Sequence, residues 1–68
     1  MTVQELFNIC GDMDDNSYFE FHPMAHDNEP DETILWKGFW KSVPGYLKES
    51  KVTFYNSMSF GRIWIEVE

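Results

Sequence analysis

The sequence predicts an α+β domain with the element order α-β-β-α-β-β. Four mainly antiparallel strands form a sheet, and one N-terminal helix and one short helix pack on one face of it. Three observations predict this fold: a capped apolar stripe with helical spacing, four short segments of alternating apolar and polar residues, and turn residues between them. A chain of 68 residues has room for one domain, so we assign residues 1–68 to a single domain.

The N-terminal segment predicts a helix that begins at Val3. Thr2 and Glu5 have the spacing of a capping box, in which each side chain accepts a hydrogen bond from the backbone of the other residue. The apolar stripe that follows consists of Val3, Leu6, Phe7 and Cys10. We expect Gly11 to end the helix in a left-handed conformation.

The first two strands follow. Residues Tyr18–His22 alternate between two faces, with Phe19 and Phe21 on one of them, which predicts a strand. Pro23 ends this strand. The segment from Pro23 to Glu32 is polar and acidic and contains two prolines, which predicts a loop. Residues 33–37 predict a second strand that ends at Gly38.

The second half predicts a short helix and a β-hairpin. Residues 42–49 resemble a short helix with Pro44 in its first turn. In residues 51–55 and 62–67, side chains alternate between two faces, which predicts an antiparallel pair of strands. Strict alternation places one group on the helix-covered face, namely Val52, Phe54, Ile63, Ile65 and Val67. It places another group on the opposite face, namely Thr53, Tyr55, Trp64 and Glu66.

That opposite face would carry four ring-bearing side chains, those of Tyr18, His22, Tyr55 and Trp64. Exposed aromatic surface commonly marks an interaction site. Aromatic residues also flank the core of small sheets without any functional meaning. The sequence leaves both interpretations open.

Charge is distributed unevenly along the chain, which carries a formal net charge of −7. Residues 1–36 contain nine carboxylates and no Lys or Arg, whereas residues 37–68 contain five basic and three acidic side chains. An acidic surface repels nucleic-acid phosphates and anionic lipids. We therefore expect no direct binding to nucleic acid and no membrane association.

The acidic side chains concentrate in two predicted loops, residues 12–17 and 27–32. One interpretation is that these loops present carboxylates to a basic partner, in place of a phosphate backbone. The other is that they only keep the domain soluble, a role that acidic charge performs well.

No motif in the chain predicts a catalytic or metal site. His22 and His26 have a spacing that suits zinc on a helix, but Pro23 argues against a helix there. Asp27, Glu29 and Asp31 alternate as calcium ligands do, yet the central glycine and the final glutamate of a calcium loop are missing. We expect no cofactor and no enzymatic activity.

The single cysteine, Cys10, has no partner for an internal disulfide, and no charged-then-apolar leader precedes it. We therefore expect a cytoplasmic protein. With no basic residue nearby in sequence, Cys10 is expected to act as a small apolar side chain rather than as a nucleophile.

Three sequence features together resemble a known group. They are Thr-Val-x-Glu-Leu-Phe at residues 2–7, Asp-Asp-Asn-Ser at residues 14–17 before an aromatic strand, and Ser-Val-Pro-x-x-Leu at residues 42–47 before a hairpin. The chain resembles small uncharacterised proteins of bacteriophages, prophages and conjugative elements of Gram-positive bacteria. The resemblance implies a mobile-element origin and nothing catalytic.

The leading hypothesis is a non-enzymatic, acidic protein-interaction module that binds a basic surface on a partner protein. A sharper version makes the chain an inhibitor of a nucleic-acid-binding host or defence protein. The alternative is an assembly module that associates, with itself or a larger protein, through its sheet face or an edge strand. The predicted partner-binding residues are Asp14, Asp15, Asp27, Glu29, Asp31, Glu32, Tyr55 and Trp64.

Overall fold

A computed structural model describes residues 1–27, 29 and 31–68. Two helices, α1 (Val3–Ile9) and α2 (Gly45–Lys48), accompany a four-stranded sheet. The strands are β1 (Tyr18–Pro23), β2 (Trp36–Phe39), β3 (Val52–Ser57) and β4 (Arg62–Val67), and short 3₁₀ turns occupy Trp40–Ser42 and Ser59–Gly61. The predicted α+β class, the four strands and the two helices are confirmed.

The sheet has the strand order β2-β1-β4-β3 and is mixed. Strands adjacent in sequence pair antiparallel, β1 with β2 and β3 with β4, whereas β1 and β4 pair parallel at the centre. Parallel pairs are usually buried on both faces. The centre of this sheet follows that rule, because most residues of β1 and β4 are buried while every residue of β3 is exposed or half-buried.

The core lies between the sheet and the helical segments. Phe19, Phe21 and Ile65 have no exposed surface, and Val3 and Leu6 of α1 pack against the same cluster. Phe7 of α1 stacks on Trp40 of the first 3₁₀ turn, with ring centroids 3.9 Å apart. These side chains, contributed by the sheet and by the helical segments, form the apolar core whose burial stabilises the domain.

The N-terminal capping box is confirmed. The Thr2 N–H donates to Glu5 Oε1 over 2.9 Å, and the Glu5 N–H donates to Thr2 Oγ1 over 3.1 Å. The helix ends one residue earlier than predicted, because Cys10 is already extended with φ −90° and ψ 114°. The predicted left-handed stop at Gly11 is therefore wrong, since the chain leaves the helix at Cys10 and returns Met13 to the core.

The second strand begins later than the sequence predicts. Residues 33–35 precede it, and Gly38 lies inside it rather than at its end. The ring of Trp36 passes close over Gly38, where a Cβ would lie 2.7 Å from Trp36 Cη2. Gly38 therefore makes room for the Trp36 ring rather than breaking the strand.

A β-bulge changes which side chains of β3 face the helices. Val52 pairs with Val67, but Phe54 pairs with Glu66 and Tyr55 with Ile65. One extra residue, Thr53, is inserted between the two registers, which reverses the alternation beyond it. The predicted placement of Phe54 on the helix-covered face, and of Tyr55 beside Trp64 on the opposite face, is therefore wrong.

No helix among the described residues is long and apolar enough to cross a membrane.

Candidate functional site

The outer face of the sheet, opposite α1 and α2, brings acidic, basic and aromatic side chains into contact. β1 contributes Tyr18, Glu20 and His22, and β4 contributes Arg62, Trp64 and Glu66. Glu20, His22 and Glu66 are nonetheless buried. These polar groups contact neighbouring side chains and, at Glu66, the backbone of Ala25 that follows β1.

The first contact is an ion pair between the two central strands. Arg62 Nη2 donates to Glu20 Oε2 over 2.7 Å, and only 11% of the Glu20 side chain is exposed. Next to it, Tyr18 and Phe39 meet edge to face with ring centroids 5.4 Å apart. At this end of the outer face the Glu20 carboxylate therefore already has a basic partner within the chain.

The second contact is a stack between His22 and Trp64. Their ring centroids are 3.6 Å apart and the rings are inclined by 8°. His22 is only 2% exposed, and neither of its ring nitrogens has a hydrogen-bond partner among the described residues. Because His22 covers one face of the indole, Trp64 presents its opposite face and its edges to the rest of the surface.

The third feature is the buried carboxylate of Glu66, which is 4% exposed. Its Oε2 accepts a hydrogen bond from Trp64 Nε1–H over 2.8 Å, and its Oε1 accepts one from the Ala25 N–H over 3.1 Å. Both ion pairs found in the described part of the chain lie elsewhere, between Arg62 and Glu20 and between Lys51 and Glu68. Glu66 is therefore held by two neutral N–H donors and forms no ion pair within the described residues, although His22 is its cross-strand neighbour.

Trp64 and Glu66 line an open groove of about 710 Å³, referred to here as the outer-face groove. Its other lining residues are Met24, Ala25, Thr53, Phe54, Asn56 and Met58. Phe54 is 51% exposed and Met24 is 39% exposed, so the walls are apolar surfaces open to solvent. A concave, largely apolar groove with a few polar groups, here Glu66, Thr53 and Asn56, has the general character of a binding site.

The chain that forms one wall of the groove continues into the acidic β1–β2 loop (residues 24–35). Asp27, Glu29 and Glu32 are exposed there. Asp31 Oδ1 accepts a hydrogen bond from the Thr33 N–H over 2.9 Å, and this bond lowers the pKa of Asp31. Asn28 and Pro30 of the predicted loop lie outside the described residues.

The two acidic loops do not form one patch. Asp14 and Asp15 lie before the first residue of β1, whereas the β1–β2 loop follows the last, and a six-residue strand spans about 20 Å. Asp14 also has a local role, because its Oδ1 accepts from the Asn16 N–H over 2.8 Å and its N–H donates to Ser17 Oγ over 3.1 Å. The outer-face groove adjoins only the β1–β2 loop.

Of the two aromatic residues predicted to bind a partner, Tyr55 and Trp64, only Trp64 lies at the outer-face groove. The side chain of Tyr55 is on the helix-covered side of β3, where electrostatic repulsion from Cys10 raises the pKa of Tyr55. Sequence reasoning missed Phe54, Glu66, Met24 and Met58. Trp64 and Glu66 alternate with buried Ile63 and Ile65, so Glu66 could have been found, but the position of Phe54 depends on a bulge that the alternation does not reveal.

The histidines considered as metal ligands lie in different surroundings. His22 is buried against Trp64, whereas His26 is exposed and its carbonyl accepts from the Glu29 N–H over 2.9 Å. Within residues 1–27, 29 and 31–68, no three His, Cys, Asp or Glu side chains are grouped so as to hold a metal ion.

In comparisons with protein-family models, curated proteins and solved structures, nothing matches this chain. The functional interpretation therefore depends on the geometry and charge of the chain itself.

Proposed function

We propose that this chain is a non-enzymatic protein-interaction module that binds a basic surface of a partner protein. The binding surface consists of the outer-face groove and the adjoining β1–β2 loop. The observation that supports the proposal is the buried carboxylate of Glu66, which lines a largely apolar groove and forms no ion pair with any of the described residues.

Charge complementarity supports a basic partner. The β1–β2 loop carries four carboxylates and no Lys or Arg, in a chain whose net charge is −7. Such a field accelerates association with a cationic surface and disfavours acidic ones. The apolar walls of the groove then supply contact area that a purely electrostatic encounter lacks.

The partner class that best fits an acidic loop beside an apolar groove is a nucleic-acid-binding protein. Its basic groove is built to bind regularly spaced negative charges, which the loop carboxylates would replace. In this version the chain inhibits the partner by occupying its nucleic-acid site. Such a role suits a protein that a mobile element encodes against a host or defence protein.

The proposal is tested by affinity capture from the native host and by titration of the captured partner. The decisive variant neutralises the loop through Asp27→Asn, Glu29→Gln, Asp31→Asn and Glu32→Gln. The matched control neutralises the distant loop through Asp14→Asn and Asp15→Asn. We expect affinity to fall with salt and to fall further in the first variant only. A partner bound equally well by both variants at all salt concentrations would contradict the proposal.

A second candidate function, assembly through strand β3, has its own observation. One side of β3 pairs with β4, and the other is the edge of the sheet beyond Val52, whose N–H donates to the Met1 carbonyl. The six residues of β3 include no charged side chain and no proline. Natural edge strands are usually protected by such residues. Light scattering across protein concentration separates the two functions, because assembly predicts a salt-insensitive oligomer, which Phe54→Lys would disrupt.

A further inference from the structure

We infer that the outer-face groove receives an arginine or lysine side chain of the partner, with its cationic head against Glu66 and its alkyl stem against the apolar walls. The inference rests on the proposed function, since it names the chemical group on the partner that the groove binds. It also separates the roles of the two surfaces: the β1–β2 loop attracts the partner, and the groove binds one side chain of it.

The first step is that the Glu66 carboxylate forms no ion pair with the described residues. Its two hydrogen-bond donors, Trp64 Nε1–H and the Ala25 N–H, are neutral groups. Each carboxylate oxygen has a further lone pair, and taking a carboxylate out of water is costly unless a cation compensates it. A guanidinium or ammonium group entering the groove supplies that cation and a charge-assisted hydrogen bond.

The second step is the composition of the walls. The free face and edges of Trp64 and the exposed ring of Phe54 border the groove, and Met24 and Met58 complete its apolar surface. Cations are attracted to aromatic faces, and the methylene stems of lysine and arginine pack along apolar surface. The volume of about 710 Å³ exceeds one side chain, which leaves space for the flanking backbone of the partner.

Two other occupants fit less well. A purely apolar side chain would bury Glu66 more deeply without compensating its charge, which is unfavourable. A second copy of this chain would bring a further net charge of −7 to an already acidic surface. Charge complementarity therefore favours a basic side chain from a different protein.

The experiment is an NMR titration of the purified chain with three blocked tripeptides, Ac-Gly-Arg-Gly-NH₂, Ac-Gly-Lys-Gly-NH₂ and Ac-Gly-norleucine-Gly-NH₂. The readout is the Nε1–H resonance of Trp64, which is assigned by its loss in Trp64→Phe. We expect the two basic peptides to shift this resonance saturably. The norleucine peptide, which keeps the stem and lacks the charge, should bind about tenfold more weakly.

Variants then locate the binding. Glu66→Gln should weaken binding of the arginine peptide about tenfold. Phe54→Ala should weaken it several-fold, and we expect this variant to fold because the Phe54 side chain is half exposed. The matched control is Glu68→Gln, which removes a nearby carboxylate outside the groove and should leave the affinity unchanged. If Glu66→Gln fails to fold, the Phe54→Ala and norleucine arms decide the inference on their own.

Equal binding of the norleucine and arginine peptides, or equal weakening by Glu68→Gln and Glu66→Gln, would overturn the inference. The proposed function would survive that result if neutralising the β1–β2 loop still weakened binding to the captured partner. Conversely, a partner indifferent to the loop variant would remove the proposed function even if the tripeptides bound to the groove.

Discussion

The two faces of the sheet are built from the same strands and are stabilised in different ways. On the helix-covered face, Phe19, Phe21 and Ile65 are buried by apolar contacts with the helical segments. On the outer face, the buried carboxylate of Glu20 is paired with Arg62, and that of Glu66 accepts two hydrogen bonds from its neighbours. We therefore expect the first face to contribute most of the stability, and we propose that the second carries the binding surface.

The strongest test of this comparison exchanges one phenylalanine on each face for alanine. Phe19 has no exposed surface, so Phe19→Ala should cost about 3–5 kcal/mol, which is comparable to the whole stability of a domain this small. Phe54 is 51% exposed, so Phe54→Ala should cost less than about 1 kcal/mol.

The measurement is urea denaturation of both variants and the parent chain, with unfolding monitored by circular dichroism. A Phe54→Ala variant as unstable as Phe19→Ala would show that the outer face also determines folding, and would remove the distinction between the two faces.

A smaller effect is expected for the buried carboxylate of the outer face. Glu66→Ala leaves Trp64 Nε1–H and the Ala25 N–H without their acceptors, which should cost about 1–3 kcal/mol. Glu68→Ala removes only an exposed ion pair with Lys51 at 3.6 Å and should cost less than about 1 kcal/mol. The same urea titration measures both, and an equal loss for the two variants would show that the bonds to Glu66 contribute nothing specific.

The helix-covered face was largely predictable from the sequence, and the outer face was not. Local signals identified the Thr2–Glu5 capping box and the alternation of β1 and β4, because these depend on residues close in the chain. The parallel pairing of β1 with β4 joins segments about forty residues apart, as the contact between Glu20 and Arg62 shows. No local pattern specifies such a pairing.

Prediction of the candidate site failed where a single residue changed the register. The bulge at Thr53 exchanges the faces of Phe54 and Tyr55, and alternation alone cannot reveal a bulge. Trp64 was found because it lies in a regular strand, and the β1–β2 loop because its composition is distinctive. One of the two hydrogen bonds to Glu66 comes from Ala25, which lies beside it because β1 pairs with β4.

The smallest expected effect is the loss of one hydrogen bond of Asp31 at acidic pH. It tests the difference between the two faces of the sheet, because Asp31 lies in the β1–β2 loop beside the outer face. The hydrogen bond from the Thr33 N–H lowers the pKa of Asp31 in the folded state. A lowered folded pKa means that this bond contributes its full stabilisation above the ordinary aspartate value of about 3.9 and loses it as the pH falls through the lower folded value. We therefore expect the Thr33 amide resonance to titrate with a midpoint below about 3.9, and Asp31→Asn to abolish that titration. Resonances of Phe19 and Ile65 should stay unchanged while the Thr33 resonance moves, since the helix-covered face takes no part. Simultaneous movement of all three would mean that acid unfolds the domain as a unit and that the loop has no separate transition.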